Sequence, residues 1–218
     1  MAATESDHIV ATTQGRVRNV VINRPEKKNA LTISMYARLA DELAQAAENP
    51  AIRVVVLTGV DGVFTAGNDL ADFQKAGDDD GATFVNPFLA ALPRFPKALL
   101  AGVNGMAVGI GTTMLLHCDL VYASPEAFFM TPFTRLGVTP EAGSSLLVPL
   151  MAGMQRATEL LMLGETFDAE RARQAGLVNE VVAPEALSAR VRDRAAALAE
   201  LPPVSYTHLT LPTIVREC

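Results

Sequence analysis

From Ala98 to Leu116 the chain carries no charged residue, yet Gly102, Gly105, Gly109, Gly111 and Asn104 interrupt the run. The run approaches the length of a membrane span, but its glycines and its setting between polar segments mark buried core instead. Its first part, "KALLAGVNG" (97–105), reads as a strand covered on both faces. A Gly-rich turn, "MAVGIGTT", and a helix, "TMLLHCD", follow. The same order occurs earlier. "RVVVLTG" (53–59) is a continuous apolar run ended by glycine, and "VDGVFTAGNDLADF" is a Gly-rich turn feeding a short helix. A chain with two such units is predicted to be α/β.

The remaining segments keep the alternation. "VRNVVIN" (17–23) is a short β-branched strand, and "SMYARLADELAQAA" (34–47) aligns Tyr36, Leu39, Ala40, Leu43 and Ala47 on one helical stripe. "LVYAS" (120–124), "AFFMT" (127–131) and "LVNEVV" read as further strands. Helices are predicted near 144–152, 156–163, 168–175 and 184–200. Asp168 is expected to cap the third and Gly176 to stop it, while Leu187, Val191, Ala195 and Leu198 line up on the fourth. "AGDDDGA" (76–82) reads as a solvated loop tip rather than a metal site, because no partner ligands stand nearby.

With 218 residues, 50% of them hydrophobic and 19% charged, the chain suits one globular domain with a sizeable core. A net charge of −6 argues against nucleic acid as the main partner, since phosphate binding needs a basic face. Cys118 and Cys218 supply no disulfide framework, and the start "MAATESDHIV" shows no secretory signal, so a cytoplasmic location is expected.

The Gly-rich turns suggest one physical device. Small residues let the backbone come close to a ligand, and a helix start aims unpaired N–H groups at negative charge. Neither turn spells a dinucleotide fingerprint or a Walker loop. Two turns can supply two N–H donors to one oxygen, as an oxyanion hole requires. The alternative is tight packing of helix on sheet.

"VVLTGVDGVFTAGNDLADF", "KALLAGVNGMAVGIGTTMLLHCDLVYAS" and "GLVNEVV" resemble the crotonase, or enoyl-CoA hydratase/isomerase, superfamily, and "NRPEKKNAL" (23–31) resembles its coenzyme A-binding segment. The resemblance covers about residues 8–203 in the family's order. It implies a spiral of ββα repeats, a homotrimer or dimer of trimers, an acyl-CoA substrate and no separate cofactor or metal. By position, it implies that the backbone N–H groups of Asn68 and Ile110 form the oxyanion hole. Many relatives have glycine where this chain has Ile110. It also implies coenzyme A contacts at Arg24, Lys28, Ala30 and Ala66. From composition alone, Arg24, Lys27 and Lys28 read equally well as an exposed basic loop.

Family hydratases carry two glutamates, at positions that correspond here to Thr113 and Phe133. Neither residue moves a proton at neutral pH. "TPFTRLGVTPEAGSS" and "GNDL" instead resemble the branch of Δ3,Δ2-enoyl-CoA isomerases with a single glutamate, which is Glu141 in this sequence. Between Arg135 and Arg156, Glu141 is the only charged side chain. A carboxylate in such company lies on the surface, caps the helix beginning near Gly143, or sits in an apolar pocket that raises its proton affinity. With the family segment around it, the base role is expected, with Leu146, Leu147 and Phe133 as the apolar wall. Hydration, another crotonase activity such as thioester hydrolysis or decarboxylation, and non-catalytic acyl-CoA binding stay open as alternatives.

His117 and Asp119 with Ser144 or Ser145 contain the residue types of a catalytic triad, but no G-x-S-x-G elbow accompanies them, and His117 reads as a packed core histidine. Asp69 is expected to cap the helix after the first turn, Cys118 to be a small buried hydrophobe, and Leu160, Leu161 and Leu163 to serve core or subunit contact. "VSYTHLTLPT" is similar to a translated sequencing adaptor. Residues 1–203 are therefore expected to be the acyl-CoA domain without its C-terminal helices, and 204–218 a non-native tail. The native C-terminus that would carry a peroxisomal signal is thus expected to be missing, and a peroxisomal or mitochondrial destination stays open.

Overall fold

The computed structural model describes residues 8–72 and 82–202. The triple-aspartate loop tip (78–80) and the segment 204–218 lie outside them. The main sheet is built from β1 (Ile9–Gln14), β2 (Val17–Ile22), β3 (Val54–Gly59), β5 (Ala98–Val103), β7 (Leu120–Ala123) and β10 (Glu180–Val181), side by side in that order. β1 and β2 form an antiparallel hairpin, and every later pairing is parallel. A smaller sheet holds β4 (Val63–Thr65), β6 (Met106–Val108), β8 (Phe128–Met130) and β9 (Phe167–Asp168). Each repeat lays one strand in the main sheet and the next in the smaller one: β3 then β4, β5 then β6, β7 then β8. This is the α/β spiral of strand–strand–helix repeats that the resemblance implied.

The short strands β4 and β6 fall where the sequence predicts Gly-rich turns. Three residues are too few to show alternation, and a sharp corner separates each from its long strand. At the second corner a Cβ added to Gly105 would lie 1.6 Å from the carbonyl oxygen of Gly62. No other residue fits there. β1 lies outside the predicted elements, and β9 (Phe167–Asp168) meets only the capping residue of the helix predicted over 168–175.

Helix α1 (Ile33–Glu48) is capped by Thr32, whose hydroxyl accepts from the Met35 N–H at 3.3 Å. It buries Met35, Tyr36, Leu39, Leu43 and Ala46. Glu42 is buried as well, held by Arg18 (Nε at 2.8 Å) and Arg38. α2 (Ala82–Ala91), not predicted, packs against α1. The helix predicted over "TMLLHCD" is instead α3 (Ile110–Thr113) continuing as a 3-10 turn, Met114–His117. Then come α4 (Phe133–Leu136), α5 (Ser144–Ala152) and α6 (Met154–Thr158), the last opening into a π-helical turn over Glu159–Leu163. α7 (Ala169–Gln174) is capped by Asp168, which accepts from the Arg171 N–H at 2.7 Å, and Gly176 (φ +87) ends it.

α8 (Pro184–Glu200) explains the continuous apolar runs. Its Leu187, Val191 and Ala195 cover one face of the main sheet at Val54, Val56, Leu100 and Tyr122. Val55, Leu57, Leu99 and Ala101 point the opposite way, into the larger core. Strands β3 and β5 are therefore wrapped on both faces and tolerate no polar alternation. Among the described residues, no helix is long and apolar enough to cross a membrane.

Candidate active site

The first turn lies at the end of β4. The Thr65 hydroxyl donates to the Asn29 carbonyl at 2.7 Å and accepts from the Gly67 N–H at 3.1 Å. Segment 28–31 runs alongside: Ala66 N–H donates to the Lys28 carbonyl, Leu31 N–H to that of Gly67 and Asp69 N–H to that of Leu31. The amides of residues 66, 67 and 69 are thereby used. The Asn68 N–H faces away from this pairing and, among the described residues, meets no acceptor.

The second turn lies between β6 and α3. The Gly109 N–H donates to the Met130 carbonyl at 2.8 Å, and the Gly109 carbonyl accepts from Thr112 and Thr113. Ile110 is the first residue of α3, where a helix leaves its N–H unpaired, and no described residue accepts from it. Its side chain is 1% exposed and belongs to the core, so its bulk does not fill the turn. The two turns touch through their backbones. A Cβ on Gly67 (φ +89) would come within 2.7 Å of the Val108 carbonyl oxygen.

Glu141 sits on the loop before α5, with a half-buried side chain. Loss of solvent pushes its carboxyl up to about 7, and among the described residues the carboxylate accepts no hydrogen bond. It does not cap α5, whose N-cap is Gly143 with no side-chain partner. Its main chain is pinned, because the Glu141 carbonyl accepts from the Ser144 N–H at 3.0 Å and from the Ser144 hydroxyl at 2.6 Å. Leu147 and Phe133 are buried as the apolar wall requires, whereas Leu146 turns outward, 38% exposed. Thr113 and Phe133, which the resemblance sets at the positions of the hydratase glutamates, are both buried.

Tyr36 joins these parts. Its hydroxyl donates to the Asn68 side-chain carbonyl oxygen. Burial, and then the nearby Glu141 charge, hold its phenol well above the usual range. Tyr36 thus binds Asn68 directly and feels the charge of Glu141, although the three come from distant parts of the chain. The sequence reading assigned Tyr36 to a core stripe only; a hydroxyl on a stripe destined for burial is the signal that it needs a partner inside.

The basic loop is divided. The Arg24 guanidinium is 13% exposed and donates to Asp69 at 2.7 Å and to the Ala30 carbonyl at 3.0 Å. It braces the first turn instead of standing free for a phosphate. Asp69 also caps residues 71 and 72 as expected, and the Arg24 hydrogen bond holds its carboxyl below the usual range. Lys27 and Lys28 are exposed, and Ala30 and Ala66 are half-buried. The triad types do not assemble. His117 Nε2 lies 2.8 Å from the Ala142 carbonyl, Asp119 accepts from the Leu99 N–H, and Ser144 is engaged with Glu141. Cys118 packs against the core.

A family model described as enoyl-CoA hydratase/isomerase matches residues 12–212. The chain belongs to the enoyl-CoA hydratase/isomerase family. It is 39% identical over 209 residues to enoyl-CoA delta isomerase 2 of Rattus norvegicus, spanning 93% of this chain and 53% of that relative. It is 37% identical over 177 residues to 2,3-dehydroadipyl-CoA hydratase of Escherichia coli, spanning 79% and 68%. The chain covers about half the length of the first of these. An enoyl-CoA hydratase/isomerase structure from Pseudoalteromonas atlantica superposes with a TM-score of 0.90 at 42% identity, over 96% of this chain and 82% of that one. Relatives named as an isomerase and as a hydratase both match the chain, so family membership leaves the choice of reaction to the side chains.

Proposed function

We propose that the chain isomerises 3-enoyl-CoA to 2-enoyl-CoA, with Glu141 as the single acid/base and the Asn68 and Ile110 N–H groups as an oxyanion hole. What supports this reading is a carboxylate whose proton affinity burial raises and whose charge acts on Tyr36, while Tyr36 donates to Asn68, whose N–H, like that of Ile110, meets no acceptor among the described residues. Glu141 removes a proton from C2, and the thioester becomes an enolate whose oxygen accepts from both amides. The protonated Glu141 carboxyl then returns the proton to C4. The double bond moves and no water is added. One oxyanion donor is typically worth ~3–4 kcal/mol, so two supply much of the barrier reduction. A base near neutrality suits removal of a weakly acidic C–H proton.

Hydration needs a second placed acid/base group. Buried Thr113 and Phe133 supply none, which is why isomerisation is preferred over the hydratase chemistry of the Escherichia coli relative. In this reading Lys28, with Ala30 and Ala66, receives the coenzyme A portion, and Arg24 supports the loop from behind. Exposed Leu136, Leu150, Met154, Met162 and Leu163, on elements that pack against one another, supply the contact face of a homotrimer. The test is direct: purified protein is given 3-enoyl-CoA, and formation of conjugated 2-enoyl-CoA is followed by absorbance. 2-Enoyl-CoA in water is offered in parallel. Turnover of the first without hydration of the second is expected; hydration alone would overturn the assignment.

A further inference from the structure

The segment that opens with Ile110 closes with His117. α3 and its 3-10 continuation form one short rod whose first amide is the proposed oxyanion donor. At its far end the His117 ring reaches the Ala142 carbonyl at 2.8 Å. We propose that His117 is a positioning residue, fixing the Glu141 loop at a set distance from the oxyanion-hole helix. This rests on the reading of Glu141 as the base.

The loop needs such a clamp. Ala142 (φ +53) and Gly143 (φ +65) are successive left-handed residues immediately after Glu141. The conformation costs an alanine ~1 kcal/mol or more, and it persists only where neighbouring contacts over-determine it. Ser144 holds the Glu141 carbonyl, but Ser144 belongs to the same local turn and moves with it. His117 holds the next carbonyl from a different repeat. A carbonyl only accepts, so Nε2 carries the proton. Both the neutral Nε2–H tautomer and the cation therefore make this bond. Burial also favours the neutral ring. The clamp is insensitive to pH, as a support for a titrating base should be.

A base that shuttles a proton between C2 and C4 tolerates little displacement; a shift of about 1 Å commonly costs ~100-fold in rate. The experiment compares the wild type with His117→Leu, His117→Asn and His117→Gln. Leucine has no donor, the asparagine amide falls short, and the glutamine amide reaches the position of Nε2–H. In the first two, kcat for 3-enoyl-CoA is expected to fall ~10- to 100-fold with KM changed less than about threefold, and His117→Gln to recover most of it. A second readout needs no turnover. With 13C-labelled glutamate carboxyls, the Glu141 titration near pH 7 is expected to drop by about one unit in His117→Leu as the loop relaxes into solvent.

If the wild type proves inactive but the titration still drops, the clamp stands and the isomerase reading falls. If His117→Leu keeps both kcat and the titration of the wild type, the clamp is refuted. Should His117→Leu fail to fold, His117→Asn carries the same expectations.

Discussion

The Tyr36 hydroxyl donates to the side-chain carbonyl oxygen of Asn68, joining the buried stripe of α1 to the turn that presents an unpaired amide. The bond sets the orientation of residue 68 from the core side. Tyr36→Phe keeps the ring packing and removes only the donor. A net hydrogen bond of ~1 kcal/mol corresponds to about fivefold in rate. A kcat reduced about fivefold is expected, with the fold intact by circular dichroism; an unchanged kcat would assign the hydroxyl to packing alone.

Glu141→Gln should remove isomerisation to the assay limit while acyl-CoA binding, measured by calorimetry, is retained. For the wild type, kcat/KM should rise with pH through about 7, since only the carboxylate accepts a proton. The stability consequence has the opposite sense. The folded-state pKa lies above the ordinary 4.5, so the folded protein holds this proton more tightly than the unfolded chain. That stabilisation is complete below about pH 4.5 and lost as pH rises through about 7. Glu141→Gln is therefore expected to melt higher than wild type at pH 8, by roughly 3–6 °C after allowance for solvent screening, and equally at pH 4.5.

Gly67→Ala tests the approach of the two turns. The new methyl meets the Val108 carbonyl oxygen at 2.7 Å, and the positive φ strains any side chain. A stability loss of at least ~2 kcal/mol is expected from urea unfolding. If the two amides form the proposed oxyanion hole, a kcat loss of ~100-fold or more accompanies it, because their spacing changes.

Arg24→Ala distinguishes a brace from a phosphate ligand. A brace predicts a loss of about 2 kcal/mol at pH 7, since Asp69 is left without its partner. Asp69 has its folded pKa depressed below 3.8, so the ion pair contributes above that value and its contribution is lost as pH falls through the depressed one. The difference between variant and wild type should therefore shrink near pH 3. A raised KM for coenzyme A esters at wild-type stability would restore the ligand role.

The sequence by itself determined the repeat plan, because only strands covered on both faces explain runs like "VVVLTG" and "ALLAGV", and α8 and the main core supply those covers. It also singled out Glu141 as the one carboxylate in an apolar segment. The rest depended on tertiary contacts. β4 and β6 are too short for periodicity, and their corners exist only because Gly59 and Gly105 admit another backbone. That Arg24 turns to Asp69, Tyr36 to Asn68 and His117 to Ala142 follows from which repeats stack. Partners far apart in the chain meet only when the spiral closes, and a buried polar atom then bonds to whatever donor or acceptor lies within reach.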